Sequence, residues 1–287
     1  MKHTTKLREL INREEILVAP GTYDPLMAKI IAKAGFDAVY MTGAGVSHST
    51  LGMPDIGLTT MTEMVERARR IADSADVPII ADADTGFGNA INVMRTVKEY
   101  ERAGVAAIHI EDQQMPKRCG HFAGKTVVPK EEMMGKLKAA LDTRQDQDFL
   151  IIARTDARTA ISFEEAIERG QAYAEVGADI VFVESPRSVE ELEQIGKSIN
   201  RPLLANMVET GLTPLLPAAE LQKLGFSVVI FPGGLARFLT KQAEEFLATL
   251  KADGTTEAYM DRMNTFQKQN ELLELEKYDE LSKKYAS

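Results

Sequence analysis

Two acidic pairs are the residues whose types and spacing point most directly to chemistry. Asp82 and Asp84 are separated by one alanine, and Glu111 is followed by Asp112. A lone Asp-x-Asp is more often a turn or a helix cap. Four carboxylates at one rim, however, would repel one another unless a cation neutralised them, and all-oxygen ligation suits Mg²⁺. We therefore predict a Mg²⁺ site where these pairs converge, with Mn²⁺ as the alternative ion.

The chain's only cysteine lies in a polar segment. Cys119 follows Lys117 and Arg118 and precedes Gly120 and His121. A lone cysteine is usually a small buried hydrophobe, but structural cysteines favour apolar surroundings, and these neighbours are charged. Because nearby cations favour the thiolate, we expect a depressed pKa and a reactive thiol. The remaining histidines show no ligand pattern; they are His3, His48 and His109.

The elements that must position these residues follow a strand–helix rhythm. Short β-branched runs alternate with amphipathic stretches at a spacing of roughly 20 to 30 residues. Eight strands are predicted, over residues 17–19, 38–41, 78–81, 106–110, 150–153, 179–183, 202–205 and 227–231. Helices are predicted over residues 61–74, 92–103, 131–141 and 163–176. Ser162 and Ser188 match the capping-box pattern that begins a helix.

Continuous apolar strands need helices over both faces of the sheet, so the fold is a closed barrel or an open doubly wound sheet. Eight units without a GxGxxG after the first strand favour the barrel. We predict an α/β fold, a (β/α)₈ TIM-type barrel over residues 1–253. Residues 254–287 read as helices only, and we expect them to pack on the barrel or on a neighbouring subunit.

Charge and hydropathy exclude several classes of function. The 287 residues carry 34 Lys+Arg against 43 Asp+Glu, a net charge of −9. Since phosphate-rich partners need a basic patch, we expect no nucleic-acid or anionic-membrane partner. Apolar runs fall far short of the ~20 residues that cross a bilayer. The beginning of the chain lacks the apolar core of a signal peptide, and a single cysteine cannot form an intramolecular disulfide, so we expect a cytoplasmic protein.

In a (β/α)₈ barrel, polar residues at the carboxyl ends of strands face the active-site mouth. Besides the acidic pairs, the predicted strand ends carry a further polar set: Tyr40, Thr42, Gly43, Ala44, Arg154, Glu184 and Asn206. The predicted fold therefore places the acidic pairs among polar residues at one end of the barrel.

Four motifs in this order resemble the isocitrate lyase/phosphoenolpyruvate mutase superfamily, specifically its short bacterial lyases. They are Asp82-Ala-Asp-Thr-Gly-Phe-Gly-Asn, Ile110-Glu-Asp-Gln, Lys117-Arg-Cys-Gly-His and Leu204-Ala-Asn-Met-Val-Glu. The resemblance covers nearly the whole chain. It implies a barrel with one helix exchanged between subunits, in a homotetramer.

The resemblance also implies roles for individual residues. Mg²⁺ would be bound near Asp82 and Asp84, with Glu111 helping through water. Cys119, on a mobile gating loop, would be the general acid/base, and Arg154 would hold the substrate. The other implied site residues are the catalytic candidates Tyr40 and His121 and the substrate-binding candidates Thr42, Gly43, Ala44, Gly120, Glu184, Asn206, Val208 and Arg237.

The implied reaction is a retro-aldol or Claisen-type C2–C3 cleavage that gives pyruvate and a carboxylic acid. Val208 stands where methylisocitrate lyases carry Thr, and Gln269 where they carry Arg. A missing hydroxyl and a missing guanidinium would both weaken binding of a third carboxylate. We therefore expect a small carboxylate substrate of the substituted-malate type, such as 2,3-dimethylmalate.

Three other reactions fit the same pocket: cleavage of 2-methylisocitrate to pyruvate and succinate, hydrolysis of oxaloacetate, and a carboxyphosphonoenolpyruvate phosphonomutase reaction. Phosphonate-forming mutases generally lack the cysteine motif, so Cys119 favours a lyase. A non-catalytic barrel is the alternative of a different class. The intact Cys119 and the aspartate pair argue against it.

Overall fold

The computed structural model describes residues 1–122 and 124–286. They form two compact units, Met1–Ala236 and the residues from Arg237 onward. The first unit contains eight strands: β1 (Leu17–Thr22), β2 (Val39–Met41), β3 (Ile79–Asp82), β4 (Ala107–Glu111), β5 (Leu150–Thr155), β6 (Ile180–Val183), β7 (Leu204–Asn206) and β8 (Val228–Phe231). All eight predicted strands are confirmed, with ends that move by at most a few residues.

The helices of the first unit alternate with these strands. They are α1 (His3–Asn12), α2 (Pro25–Lys33), α3 (Gly43–Leu51), α4 (Met61–Ser74), α5 (Ala90–Arg102), α6 (Lys130–Thr143), α7 (Ala157–Ala160), α8 (Phe163–Val176), α9 (Val189–Ser198) and α10 (Ala218–Lys223). Helix α11 (Gly234–Asp253) begins at the end of this unit. The predicted bounds of α4 and α8 are confirmed residue for residue.

The strands form one parallel sheet in the order β6-β5-β4-β3-β2-β1-β8-β7. A parallel bridge between Val181 and Leu203 joins the two outer strands. The sheet therefore closes on itself, which confirms the (β/α)₈ barrel. The alternative, an open doubly wound sheet that binds its ligand where the strand order reverses, does not apply to this closed sheet.

Alternation along each strand builds two apolar layers. On β6, Ile180 and Phe182 pack in the cluster inside the barrel, whereas Val181 and Val183 pack outward in the cluster that contains Ala166 of α8. Both faces of each strand are thus buried, which is why the strands read as continuous apolar runs.

Helix ends follow the predicted signals. The hydroxyls of Ser162 and Ser188 accept hydrogen bonds from backbone amides three residues later, so both serines cap helices as predicted. Gly177 ends α8 with φ 110°, a left-handed conformation that favours glycine. These caps fix where each helix begins and ends, and hence which residues lie in the loops at the barrel mouth.

The second unit contains the rest of α11, a 3₁₀ helix (Glu257–Arg262), α12 (Phe266–Leu272) and α13 (Leu275–Tyr285). The helices predicted beyond residue 253 are therefore present; Ser287, the last residue of that predicted extension, lies outside the described residues. No described side chain from Arg237 onward is buried. Within the described ranges, no helix is both long enough and apolar enough to cross a membrane.

Candidate active site

The carboxyl ends of β3, β4 and β5 bring the predicted acids together. In the parallel register Asp82 lies opposite His109, and Glu111 lies opposite Arg154. Asp82, His109 and Glu111 are all buried, and each offers one ligand atom within 4.8 Å of the others. His109, for which the sequence showed no ligand pattern, thus lies in a group that could hold a metal ion. Because His109 and Glu111 are two residues apart on one strand, they point to the same side of the sheet.

The Asp82 carboxylate is held by two backbone amides. Gly43 N–H donates to Oδ2 at 3.1 Å, and Asp84 N–H donates to Oδ1 at 2.9 Å. Thr42 caps α3 by accepting from the Gly45 amide, which aims the first turn of the helix at Asp82. A side chain at position 43 would overlap the Asp82 carboxylate, so this position requires glycine. Ala44 follows in the same turn.

Asp84 is held by a buried lysine. Its Oδ1 lies 2.6 Å from Lys117 Nζ, which also lies 2.5 Å from Asp55 Oδ1. Burial raises the pKa of Asp84 to about 6, against the opposing effect of Lys117. The structure thus places Asp84 beside Asp82 but pairs its carboxylate with Lys117, outside the group formed by Asp82, His109 and Glu111.

Asp112 does not join the acidic group, and the expectation that four carboxylates converge was wrong here. Its Oδ2 accepts from Thr155 Oγ1 and Tyr173 OH, both at 2.8 Å, and from Arg169 Nη1 at 3.1 Å. Its Oδ1 accepts from the Asp156 amide at 2.9 Å. Adjacent residues of a strand face opposite sides, so Asp112 points toward α8 while Glu111 points into the site.

Tyr40 and His109 form a buried pair beside the acidic group. The Tyr40 hydroxyl and His109 Nε2 share a hydrogen bond of 2.7 Å, and Nε2 lies 3.4 Å from Asp82 Oδ1. Burial lowers the pKa of His109 to about 3, so the imidazole is neutral. Burial also raises the pKa of Tyr40 well above its ordinary value, so the phenol keeps its proton.

Arg154 joins three carboxylates. Its Nε and Nη2 grip Asp156 at 2.9 and 3.1 Å, Nη1 lies 3.0 Å from Glu111 Oε2, and Nη2 lies 3.4 Å from Glu184 Oε2. Asn206 Nδ2 donates to the same Glu184 oxygen at 3.0 Å. The predicted residues of β4 to β7 therefore do meet.

Two buried oxygen acceptors of the residues that meet around Arg154 and Glu184 have no hydrogen-bond partner among the described residues. They are Glu111 Oε1 and Asn206 Oδ1. A buried polar atom without a partner costs free energy, and at a functional site it marks a place where a ligand or ion can bind. A cation would satisfy Glu111, and a ligand donor would satisfy Asn206.

Cys119 differs electrostatically from the sequence-based prediction. Burial raises the pKa of its thiol, and Asp55 and Glu184 act in the same direction, so the expected depression was wrong. Lys117 turns to Asp55 and Asp84, and the Arg118 side chain is exposed. Sequence neighbours therefore do not act as spatial neighbours here.

Backbone contacts fix the cysteine segment. The Cys119 amide donates to the Asp55 carbonyl at 3.2 Å. Gly120 is buried where a Cβ would lie 2.6 Å from Glu184 Oε2 and 2.7 Å from Arg154 Nη2. The segment therefore approaches these two side chains as closely as only glycine allows.

His121 connects this segment to the loop after β7. Its Nδ1 accepts from the Leu212 amide at 3.2 Å, so the neutral ring carries its proton on Nε2, which lies 3.7 Å from Glu184 Oε1. Burial lowers the pKa of His121. Val208 lies in that loop, partly buried, with its carbonyl accepting from Gly211 at 2.9 Å. Arg237 belongs to the second unit, and its role stays a prediction.

Two residues of the site, Asp55 and Asp156, were not predicted as site residues. The ion pairs of Lys117 with Asp55 and Asp84 were not predicted either. Asp156 carried a signal, since it stands two residues after Arg154 and shares its side of the chain. Asp55 lies in the segment between α3 and α4, and no local pattern brings it to Lys117.

The sequence matches the phosphoenolpyruvate phosphomutase family over residues 7–251, and the chain belongs to that family, within the PEP mutase/isocitrate lyase superfamily. It is 55% identical over 287 residues to 2,3-dimethylmalate lyase of Eubacterium barkeri, covering 100% of this chain and 99% of the relative. It is 47% identical over 259 residues to 2-methylisocitrate lyase of Aeropyrum pernix, covering 90% and 83%.

A crystal structure of a 2,3-dimethylmalate lyase superposes with a TM-score of 0.94 at 39% identity, covering 100% of this chain and 96% of that one. The resemblance drawn from the four motifs is therefore confirmed, and the chain is an enzyme of a superfamily that contains these lyases.

Proposed function

We propose that this enzyme is a Mg²⁺-dependent carbon–carbon lyase that cleaves a substituted malate of the 2,3-dimethylmalate type to pyruvate and a monocarboxylic acid. The observation that carries the proposal is the 55% identity, over the full length of both chains, to 2,3-dimethylmalate lyase. Val208 supports it, because a valine offers no hydroxyl to a third carboxylate.

Mg²⁺ would be held by Asp82 and Glu111, with Asp84 and His109 beside them. The fit is supported by the buried, unpartnered Glu111 Oε1 and by the oxygen-rich donor set. When bound, the ion would polarise the C2 oxygen of the substrate and stabilise negative charge that develops there. Mn²⁺ prefers the same oxygen ligands and is the alternative ion.

Arg154 would bind a substrate carboxylate. Its guanidinium is already oriented by the fork to Asp156. A charge-assisted contact of this kind contributes both affinity and orientation. The remaining substrate contacts are proposed for the predicted set Tyr40, Thr42, Gly43, Ala44, Gly120, Glu184, Asn206, Val208 and Arg237.

Cys119 would be the general acid. When the C2–C3 bond breaks, the C2 hydroxyl would lose its proton to water as the pyruvate carbonyl forms, and C3 of the departing acid would take a proton from the thiol, which the raised pKa keeps protonated at neutral pH; the thiolate would then regain a proton from water. His121, which carries its proton on Nε2, would hold the cysteine segment in place through the Leu212 amide and Glu184. Closure of that segment over the site would exclude water.

We also propose a homotetramer with an exchanged helix, in the cytoplasm. In its support, large apolar side chains of the second unit are exposed in the single chain, among them Phe238, Leu247, Met260 and Phe266. Such faces need a cover, and a second copy would supply it. A reducing compartment would keep the single thiol available as an acid. The domain division after residue 253 remains a proposal.

The test is a lactate-dehydrogenase-coupled assay for pyruvate with Mg²⁺, with and without EDTA. We expect pyruvate from 2,3-dimethylmalate and none after chelation. The Aeropyrum pernix relative makes 2-methylisocitrate the second candidate substrate. Preference for 2-methylisocitrate would mean that other groups hold its third carboxylate. Absence of pyruvate from both would favour oxaloacetate hydrolysis or phosphonate chemistry, which acetate and phosphonate analysis would detect.

A further inference from the structure

A buried lysine lies outside the groups used so far. Lys125 Nζ is 2.8 Å from Asp156 Oδ1, and the side chains are 1% and 0% exposed. The same ammonium donates to the Gly120 carbonyl oxygen. Burying an ammonium is costly unless it is paired and hydrogen-bonded, so its position is tightly defined.

The first partner of Lys125 is the backbone next to the proposed acid. Gly120 directly follows Cys119, and its carbonyl also faces Ser185 Oγ at 3.2 Å. A second donor at the same oxygen restricts the peptide further. That oxygen belongs to the peptide between Gly120 and His121, which lies inside the turn that the Phe122 amide closes on the Cys119 carbonyl at 2.8 Å, so holding it restricts the backbone beside the cysteine.

The second partner orients the proposed substrate-binding arginine. Asp156 Oδ1 accepts from both Lys125 and Arg154, and Asp156 Oδ2 accepts from Arg154 Nε. Asp156 is in turn held through its amide by Asp112. One ammonium therefore connects the backbone of the cysteine segment to the carboxylate that fixes the guanidinium.

We propose that Lys125 is a positioning residue that sets the distance between the Cys119 thiol and the Arg154 guanidinium. The inference rests on the proposed function in assigning the acid to Cys119 and substrate binding to Arg154. Loss of the ammonium leaves Ser185 Oγ as the side-chain donor to the Gly120 carbonyl and keeps the Arg154–Asp156 fork intact. Proton delivery then suffers more than substrate binding.

The test uses Cys119 as its own reporter, because it is the only cysteine of the chain. In K125M, which keeps most of the length of the side chain and removes the charge, iodoacetamide should alkylate Cys119 about tenfold faster as the segment opens. Because misplacement of an acid lowers the chemical step, kcat should fall by about 100-fold and KM should change far less. K130M is the matched control, since Lys130 pairs with the exposed Glu168.

K125R tests the same contact with the charge kept. It should retain the pairing with Asp156 but fit Gly120 poorly, so alkylation and kcat should lie between those of the wild type and K125M. If K125M does not fold, faster alkylation of K125R than of K130M supports the proposal, and equal rates overturn it. Folded K125M with wild-type alkylation and wild-type kcat overturns it as well.

The two readouts separate this inference from the proposed function. Alkylation needs no substrate, so it decides the role of Lys125 even if the wild type cleaves neither 2,3-dimethylmalate nor 2-methylisocitrate. Conversely, pyruvate formation by the wild type together with unchanged alkylation in K125M would leave the lyase proposal standing and remove Lys125 from it.

Discussion

Glu111 and Arg154 lie opposite each other on neighbouring parallel strands, and their side chains meet, with Arg154 Nη1 3.0 Å from Glu111 Oε2. The same guanidinium serves Asp156 and Glu184. Burial raises the pKa of Asp156, but Arg154 and Lys125 outweigh it and bring the pKa to about 2. Arg154 and Lys125 together thus keep Asp156 ionised beside the proposed metal site, whereas burial raises the pKa of Glu111 well above its ordinary value.

Replacing Arg154 should therefore damage both activity and stability. R154K keeps a positive charge but loses the planar fork, so we expect kcat/KM to fall by about 100-fold. R154M leaves buried carboxylates unpaired and should lower the free energy of unfolding by about 3–5 kcal/mol. Pyruvate formation and urea unfolding measure the two effects.

R158K is the matched control. Arg158 makes a similar fork to Glu191, at 2.9 and 2.6 Å, but both side chains are partly exposed. This variant should lose about 1 kcal/mol or less and keep its activity. Equal losses in R154K and R158K would mean that Arg154 is an ordinary structural arginine.

The metal site can be tested with two buried aspartates, Asp82 at the end of β3 and Asp112 directly after β4. In D82N, an amide with a single acceptor oxygen replaces a carboxylate with two, and the negative charge is lost. The affinity for Mg²⁺ should therefore fall at least about tenfold. EDTA should likewise abolish turnover of the wild type. Isothermal titration calorimetry with Mg²⁺ and Mn²⁺ measures the affinity directly.

D112N is the control for a buried aspartate that serves the scaffold. It weakens the bonds to Arg169, Tyr173 and Thr155 and should lower the free energy of unfolding by about 3 kcal/mol. Its Mg²⁺ affinity should stay within about twofold of the wild type. A loss of affinity equal to that of D82N would restore Asp112 to the metal site.

The fold could be predicted almost completely because its information is local. The eight apolar runs and the serine caps act within a few residues of one another. The parallel register then brings Asp82, Glu111 and Arg154 together without any further signal, since carboxyl ends of barrel strands meet at one rim.

The failures concern side-chain direction and long-range pairing. Strand alternation decides that His109 joins the acidic group and that Asp112 leaves it, and a reading of motifs alone overlooks this. Lys117, two residues before Cys119, was expected to lower the pKa of the thiol, but it pairs with Asp55, more than 60 positions away. Such a partner cannot be read from local spacing.

The protonation of Cys119 has a direct pH signature. Burial raises the pKa of the thiol, so it should stay protonated through neutral pH and ionise only above the ordinary range of a cysteine. The iodoacetamide rate should therefore keep rising into alkaline pH, while kcat falls as the acid loses its proton. C119A should bind pyruvate but not turn over substrate. A reaction midpoint below neutral pH would instead support the depressed pKa expected from the flanking cations.

Val208 offers a test of substrate choice. V208T adds a hydroxyl at the position where the motif resemblance leads us to expect Thr in methylisocitrate lyases. If the hydroxyl reaches the third carboxylate, a hydrogen bond to a charged group should raise the kcat/KM ratio of 2-methylisocitrate over 2,3-dimethylmalate by about tenfold. V189T, at a position 41% exposed on α9, makes the same chemical change elsewhere and should leave the ratio unchanged. An unaltered ratio in V208T would show that specificity for the third carboxylate comes from another position. Gln269 is the next residue to substitute, because it is the second expected departure from the methylisocitrate lyase pattern.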